Sequence, residues 1–356
     1  MSSIRTTLSP LVCAVALCTF LIPAGLNAQP RPGFGHDPLL LTATNGATNY
    51  LAAVDAQTGE ISYVPTGGSG GVSGNAGGVA VMGELAAVVN FGSSNVTILM
   101  RQGNSMMPAG MIPTASQPVS VAFGNGHLVV LGATTLESFP VSGMHVSQSH
   151  DGMTSLILGD GSAGQVVTFD GGAMFSEKSG AVGMASFGIP GLVGPSVPVT
   201  LPAAPNNDTP LGMVGRGANV YITIAHSDLE ALVVNGKIVS MAVGPTPFKD
   251  SSGNLTHAPC WNALSGQFLY SSDSPGEQLL RYLVSDSNIF YDKGAVAKLN
   301  GSPTDLDVTG QLLGVIDGGD GVNSDVSLFA IDPEGELTLR FSLKIASPIN
   351  GAAFIQ

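Results

Sequence analysis

The feature that most constrains this chain is a repeated pair of short strands, most copies of which begin at a proline. The pattern is a Pro, a short apolar run, a glycine-rich or polar turn, and a second apolar run. Four copies carry the Pro: QPVSVAFGNGHLVVLG from Gln117, TPLGMVGRGANVYITIA from Thr209, APCWNALSGQFLYSSD from Ala258 and SPTDLDVTGQLLGVID from Ser302. Two copies lack it: GGVAVMGELAAVVNFG from Gly77 and GMTSLILGDGSAGQVVTF from Gly152. The copies recur about every 45 residues, which is the period of a four-stranded propeller blade.

Each copy continues into a third strand and then into a turn that leads to an outer strand. Asn235-Gly236 and Glu334-Gly335 stand at two of these turns. The chain has 48 Gly and 23 Pro in 356 residues, and no long stretch has the period of an amphipathic helix. A sheet that is apolar on both faces must be covered on both sides, so such sheets pack side by side around an axis. The sequence therefore predicts an all-β propeller.

The two ends of the chain supply one further blade. The C-terminal sequence ASPINGAAFIQ is a Pro-led inner strand without later strands, and the segment from Asp37 to Val64 has later strands without an inner strand. We expect the C-terminal strand to pair into the first blade, which closes the ring and removes its free edges. With the six internal copies this makes seven blades. The prediction is a single seven-bladed β-propeller domain over residues 29–356.

The N-terminus has the pattern of an export signal. Arg5 precedes an almost wholly apolar run over residues 11–22, and a zone of small residues ends at Ala28. The apolar run is short for a membrane-spanning helix. Residues 1–28 are therefore predicted to be a signal peptide, which gives a secreted or periplasmic protein without a membrane span after cleavage. Of the three cysteines, only Cys260 would remain, so no intrachain disulfide is expected.

The charge of the chain limits its partners. Twelve Lys and Arg face 25 Asp and Glu, a net charge of −13, and a surface this acidic repels nucleic acid. The six histidines lack the spacing of metal ligands on a helix or strand. We expect no cofactor and no metal, and a monomer whose partner is a small molecule or an unidentified protein or carbohydrate.

Several of these motifs together resemble a known family. The Pro-led inner strand, DAQTGEISYV from Asp55, IDPEGELT from Ile331 and the pair Cys260-Trp261 are similar to the seven-bladed lactonase-like propellers. That family contains 6-phosphogluconolactonase and the fungal 3-carboxymuconate cyclase. The resemblance covers nearly the whole chain after residue 28 and implies acidic and basic side chains converging on the central channel. These motifs belong to the blades, so they indicate architecture more than activity.

Four residues are candidates for catalysis at one mouth of that channel. His150 and Asp151 directly precede the run interpreted as the inner strand of blade four, and His257 has the matching place before blade six. Arg216 lies in a turn between two repeat strands. Together they could bind and deprotonate a small polar molecule, since a neutral His is a competent general base. The alternative is that they are only polar residues around the channel mouth. His127 is interpreted as a solvent-facing turn residue.

Cys260 and the single tryptophan, Trp261, are adjacent at the head of an inner strand. Because neighbouring strand residues point to opposite faces, we do not expect both to face one ligand. A nucleophilic Cys260 with His257 as its base is conceivable, but packing between blades is the preferred interpretation.

Asp305 and Asp307 alternate along the inner strand of blade seven. They could form a carboxylate pair for acid–base chemistry. The preferred interpretation is that they accept hydrogen bonds from backbone N–H groups. The stretch TGGSGGVSGNAGG, residues 66–78, has no Lys and no strand–helix elbow, so we interpret it as a flexible connector between the first two blades.

The sequence leaves two functions open. The favoured one is an exported binding or interaction propeller. The alternative is a lactone hydrolase or a cyclase/isomerase that acts on a small polar molecule at one channel mouth, with His150, Asp151, Arg216 and His257 as its catalytic residues.

Overall fold

The structure is a computed structural model that describes residues 36–202, 209–245, 252–253, 257–319 and 322–356. Within these ranges the chain forms seven β-sheets, and its only helical pieces are two 3₁₀ turns, Phe91–Ser93 and Ala225–Ser227. The predicted all-β, seven-bladed propeller is confirmed. None of the helices described is long and apolar enough to cross a lipid bilayer. The predicted signal peptide lies outside the described residues.

The first four blades use the strands up to residue 198, and the strands of each blade run in order from the axis outward. Blade 1 contains β29 (Asn350–Ile355), β1 (Leu39–Ala43), β2 (Tyr50–Asp55) and β3 (Ile61–Pro65). Blade 2 contains β4 (Val79–Met82), β5 (Leu85–Asn90), β6 (Asn95–Gln102) and β7 (Ser105–Pro113). Blade 3 contains β8 (Pro118–Gly124), β9 (His127–Gly132), β10 (Thr135–Ser142) and two short strands on β10, β11 (His145–Val146) and β12 (Gly152–Ser155). Blade 4 contains β13 (Ala163–Phe169), β14 (Gly172–Glu177), β15 (Ala181–Phe187) and β16 (Leu192–Pro198).

The last three blades follow the same order. Blade 5 contains β17 (Pro210–Arg216), β18 (Asn219–Ile224), β19 (Leu229–Val234) and β20 (Lys237–Val243). Blade 6 contains β21 (Pro259–Ser265), β22 (Phe268–Asp273), β23 (Gln278–Val284) and β24 (Ile289–Lys298). Blade 7 contains β25 (Pro303–Thr309), β26 (Leu312–Asp317), β27 (Ser324–Ile331) and β28 (Leu337–Ile345).

The ring closes through the C-terminal strand, as predicted. β29 pairs with β1 in antiparallel register, with Leu39 opposite Ile355 and Leu41 opposite Ala353. Every residue of both strands is buried. Each inner strand contacts the inner strand of the next blade, and β29 completes the circle between β25 and β4. The sheet edge nearest the axis is therefore covered all round the ring.

The inner strand of blade 4 begins later than one of the six predicted copies of the repeat places it. The sequence pattern predicts an inner strand in the run from Gly152, but Gly152–Ser155 is an outer strand of blade 3 and pairs with β10. The inner strand of blade 4 begins at Ala163. This copy lacks the Pro that opens four of the inner strands, and the letters MTSLIL alone do not separate an outer strand from an inner one. The buried carboxylate of Glu177 holds the turn between them by accepting the N–H groups of Ile157, Leu158 and Gly159.

The blades pack face to face through apolar side chains, because each sheet presents such side chains on both sides. Between blades 5 and 6, for example, Leu232 packs with Leu269, Leu280 and Ile289. Where inner strands converge on the axis, backbones come close. A Cβ at Gly212 would stand 2.4 Å from the Cys260 carbonyl oxygen, so a side chain there would push β17 away from β21.

Candidate functional site

The heads of four inner strands, those of blades 1, 5, 6 and 7, line a cavity of about 490 Å³. Its wall includes Leu211, Cys260, Thr304 and Asn350, each the first or second residue of its inner strand. These heads meet at one mouth of the central channel. A second cavity of about 310 Å³, lined by the inner strands of all seven blades, is the channel itself. The mouth cavity has the size and the largely apolar lining of a small-molecule site.

The connector, residues 66–78, crosses this mouth. Residues 72–75 form part of the cavity wall. Asn45 fastens one end, since its Oδ1 accepts the N–H of Gly71 at 2.7 Å and its Nδ2 donates to the Val72 carbonyl at 2.7 Å. Asn75 fastens the other, because its Oδ1 accepts Nδ2 of Asn350 at 2.9 Å. The glycine-rich segment thus has side-chain anchors on both sides of the mouth.

A lysine from blade 4 holds the middle of the connector. Lys178 follows β14 directly, and its Nζ donates to the carbonyl oxygens of Gly74 at 2.8 Å and Ser73 at 3.3 Å. The side chain is half-buried and lines the cavity. Burial lowers the pKa of the Lys178 ammonium. Over the described part of the chain, Lys178 is the only basic residue in the cavity wall.

Cys260 and Trp261 both line the cavity, which corrects the expectation that they point to opposite sides. The register of β21 against β22 shifts between Pro259 and Asn262, and this irregularity breaks the strict alternation of the strand. The preferred interpretation as packing residues is confirmed: the two side chains are 8% and 5% exposed and belong to the core shared with blade 7. Burial raises the pKa of the Cys260 thiol, whose Sγ donates to the Ala258 carbonyl at 3.3 Å, so a nucleophilic thiolate is disfavoured.

Asp305 and Asp307 accept backbone hydrogen bonds, as the preferred interpretation predicted. Oδ2 of Asp305 accepts the N–H of Gly77 at 2.8 Å and of Ala352 at 3.1 Å, and so joins blade 7 to blades 1 and 2. Oδ2 of Asp307 accepts the N–H of Phe354 at 2.7 Å. Burial raises the pKa of Asp305 to about 7 and that of Asp307 to about 6, although these N–H donors oppose the rise.

His257 precedes β21 as predicted, near the head of blade 6. The side chain is buried, and its Nδ1 lies 3.0 Å from Oδ1 of Asp228. Burial raises the pKa of Asp228 to about 6 and outweighs the opposing effect of the histidine. The pair joins blade 6 to the 3₁₀ turn of blade 5.

Arg216 lies at the opposite end of the inner strands. It is the last residue of β17, and its guanidinium donates to the Gly266 carbonyl, just past the end of β21, at 2.7 Å and to the Tyr221 hydroxyl at 2.8 Å. His257 precedes the first residue of the seven-residue strand β21. A strand of that length separates the two levels by about 20 Å. Arg216 and His257 therefore cannot bridge one small ligand.

His150 and Asp151 lie on the outer part of blade 3, between β11 and β12. His150 has a 47% exposed side chain with Nδ1 at 3.7 Å from Oε2 of Glu137. Asp151 accepts the Ser138 hydroxyl at 2.8 Å and lies 2.9 Å from Nε2 of His127, which is thus a largely covered partner and not a solvent-facing residue. Neither His150 nor Asp151 is one of the described residues that line the mouth cavity.

The four predicted residues are therefore not brought together at one mouth, and that part of the prediction is wrong. Arg216 was misplaced because it lies at the end of β17, away from the mouth. His150 and Asp151 were misplaced by the wrong start of blade 4, because the false inner strand sets their predicted positions. The same error hid Lys178. Once the inner strand begins at Ala163, Lys178 falls in the loop after the second strand, and such loops surround the mouth. A catalytic role for any one of the four stays a prediction.

A buried carboxyl lies behind the channel wall, between blades 5 and 6. Glu230 on β19 is fully buried, and its Oε2 accepts Nδ2 of Asn262, a channel-lining residue, at 3.0 Å. Its Oε1 has no hydrogen-bond partner among the described residues. Burial raises the pKa of Glu230 to about 8. The side chain is therefore largely protonated at neutral pH. The described residues contain no group of three His, Cys, Asp or Glu placed to hold a metal ion.

Comparison with known proteins identifies the fold. No protein-family model matches the sequence, and no curated protein matches it either. Among solved structures, a candidate 6-phosphogluconolactonase from Bacteroides fragilis matches with a TM-score of 0.62 at 12% identity, over 91% of this chain and 100% of the other. Another from Bacteroides uniformis matches with a TM-score of 0.64 at 14% identity, over 90% and 100%.

A third structure, of a protein from Lactobacillus plantarum, has a TM-score of 0.64 at 12% identity and covers 90% of this chain and 100% of its own. The resemblance to the lactonase-like propellers is thus confirmed as a likeness of fold. At such identities the match carries the architecture, while function has to be argued from the site.

Proposed function

We propose that this chain is a binding propeller that takes a small amphipathic molecule into the cavity at its channel mouth. The observation that carries the proposal is the largely apolar cavity of about 490 Å³ at the convergence of the inner strands. Trp261, Leu211 and Ile349 offer apolar contact, while Lys178 and asparagine side chains offer a few polar groups. Small-molecule sites have this combination of apolar wall and sparse polar contacts.

The chemistry of the cavity favours binding over catalysis. Burial raises the pKa of the Cys260 thiol and so disfavours the thiolate, and the thiol donates a hydrogen bond to the Ala258 carbonyl. Asp317, the one carboxyl among the described wall residues, is fully buried, and its Oδ1 accepts the N–H of Gly319 at 2.8 Å. Lactone hydrolysis needs a positioned base and groups that stabilise the developing oxyanion. A phosphorylated sugar would in addition need several cations, and Lys178 is the only one among the described wall residues.

The single tryptophan provides a direct test. Titration with dansylglycinamide, a neutral fluorescent molecule, should give saturable energy transfer from Trp261 to the dansyl group. About 0.3 kcal/mol for each of its roughly 20 heavy atoms gives a Kd on the order of 10 μM. Thr304→Phe should abolish the saturable transfer, because the larger ring occupies the cavity. Thr309→Phe, at the far end of the same strand, is the matched control and should bind as the wild type does.

Two results would contradict the proposal. One is transfer that does not saturate or that survives in Thr304→Phe. The other is hydrolysis of glucono-δ-lactone by the wild type at a rate that Thr304→Phe loses, which would establish the lactone hydrolase instead. The similar structures described as candidate 6-phosphogluconolactonases are what support that alternative.

Export is part of the proposal and is supported by the apolar N-terminal run followed by small residues. Expression of the full chain in a secreting host should release a protein that begins at Gln29, as read by intact mass or N-terminal sequencing. Recovery of the uncleaved chain inside the cell would contradict export.

A further inference from the structure

We propose that Lys178 is the anion-recognition residue of the mouth cavity, so that the site selects amphipathic monocarboxylates over neutral molecules of the same shape. This inference rests on the proposed binding function and names its ligand class. Its basis is the placement of one cation in the wall of a largely apolar cavity, where no described residue forms an ion pair with it.

The ammonium group of Lys178 has one more hydrogen-bond donor than the connector uses. A lysine has three N–H donors. Two of them go to the carbonyl oxygens of Ser73 and Gly74. No partner for the third is found among the described residues, and the side chain lines the cavity. A ligand oxygen inside the cavity can therefore pair with this ammonium without displacing the connector.

Lys178 differs from other lysines of the chain in its charge partners. The chain has more than twice as many acidic as basic residues, and Lys293 and Lys344 each pair with a carboxylate, at 2.8 Å and 3.2 Å. Among the described residues, no carboxylate forms an ion pair with Lys178. A half-buried cation that has only carbonyl dipoles as partners gains most from an anion, because the cavity is less polar than water. Its lowered pKa agrees with the missing counter-ion.

The connector positions the ammonium group of Lys178. Gly74 has φ +64°, a conformation that L side chains rarely adopt, and a Cβ there would lie 3.2 Å from Nζ of Lys178. The left-handed turn at Gly74 thus aims its carbonyl at the ammonium. The connector and Lys178 fix each other, so the cation is held at the edge of the cavity before any ligand arrives.

The single cation in the described wall limits the ligand class. One ammonium matches one carboxylate, whereas phosphate esters and tricarboxylates call for several cations or a bidentate arginine. Val72, Leu211, Trp261 and Ile349 in the wall match an apolar body, and the one described wall carboxyl, that of Asp317, is fully buried. The class that fits is a carboxylic acid with a hydrophobic or aromatic body that fills a few hundred cubic ångströms.

The test compares dansylglycine with its neutral amide, dansylglycinamide, by energy transfer from Trp261. The wild type should bind the acid about tenfold more tightly than the amide, as charge-assisted hydrogen bonds do. Lys178→Met should bring this ratio close to one through loss of affinity for the acid alone. Lys298→Met should keep the wild-type ratio, since Lys298 also donates to a backbone carbonyl, that of Gly276, but is not part of the cavity wall.

The possible outcomes separate this inference from the proposed function. Equal binding of both probes by the wild type, or a ratio unchanged in Lys178→Met, overturns the role of Lys178 and leaves the binding function standing. Binding of neither probe overturns the proposed function as well. If Lys178→Met does not fold, octanoate and octanamide should displace dansylglycinamide from the wild type with the same tenfold difference. Equal displacement would count against the inference.

Discussion

Removing residues 347–356 is expected to abolish the cooperative unfolding transition of this protein. β29 is the inner strand of blade 1 and contacts the inner strands of blades 2 and 7, and all six of its residues are buried. Burial of Phe354 and Ile355 alone contributes about 1.5–3 kcal/mol each. The deletion also removes the N–H groups that Asp305 and Asp307 accept and opens the inner edge of β1. Together these losses approach the whole stability of a typical domain.

The measurement is thermal unfolding followed by circular dichroism, with near-ultraviolet signals as the readout of tertiary packing. Deletion of Gln356 alone is the control, since this residue is exposed and lies beyond β29, and it should unfold nearly as the full chain does. A synthetic peptide of residues 347–356 added to the truncated chain should restore the transition. A truncated chain that melts cooperatively within a few degrees of the full one would refute closure by the C-terminal strand.

Glu230→Gln should remove a large part of the pH dependence of stability. The folded state raises the pKa of Glu230 from an ordinary 4.5 to about 8. Between these two pH values the folded chain therefore keeps a proton that the unfolded chain has released. The stabilisation is therefore fully present below about pH 4.5 and is lost as the pH rises through about 8. At about 1.4 kcal/mol per unit of pKa, the upper bound of this loss is about 5 kcal/mol.

The variant keeps the shape and the hydrogen bond to Asn262 but cannot ionise. Chemical denaturation at pH 5 should give it nearly the wild-type free energy of unfolding, and at pH 9 it should exceed the wild type by several kcal/mol. Because Asp305, Asp307 and Asp228 titrate in an overlapping range, the informative quantity is the difference between the two chains at each pH. Exposed Glu60→Gln is the matched control and should show no such difference. A Glu230→Gln curve parallel to the wild type from pH 5 to 9 would contradict the buried protonated carboxyl.

The copies that carry a Pro were located correctly from sequence because Pro restricts its own backbone and the residue before it. Pro118, Pro210, Pro259 and Pro303 each open an inner strand in the structure. The run at Gly152 has no such mark, and a short apolar strand looks the same whether it lies at the axis or at the rim. Its true place depends on which strand it pairs with, and pairing over long sequence distances leaves no local signal.

The candidate site shows a similar limit. Alternation along β21 predicted that Cys260 and Trp261 diverge, but a register shift at the strand head brings both to one cavity. Lys178 and Gly74 are more than 100 residues apart, and only the closed ring places the ammonium against that carbonyl. Charge counting found few cations but could not show which of them reaches the mouth.

What the sequence determined by itself is the architecture, because the spacing of prolines, turns and apolar runs is a local property repeated in each blade. It also determined that the last strand completes the first blade, since an inner strand and a set of later strands were each incomplete alone. The tertiary structure decided everything that involves the axis: the cavity, the connector across it and the lysine that holds the connector. The cavity is lined by four strand heads from distant parts of the chain, and their positions depend on how the blades pack around the ring.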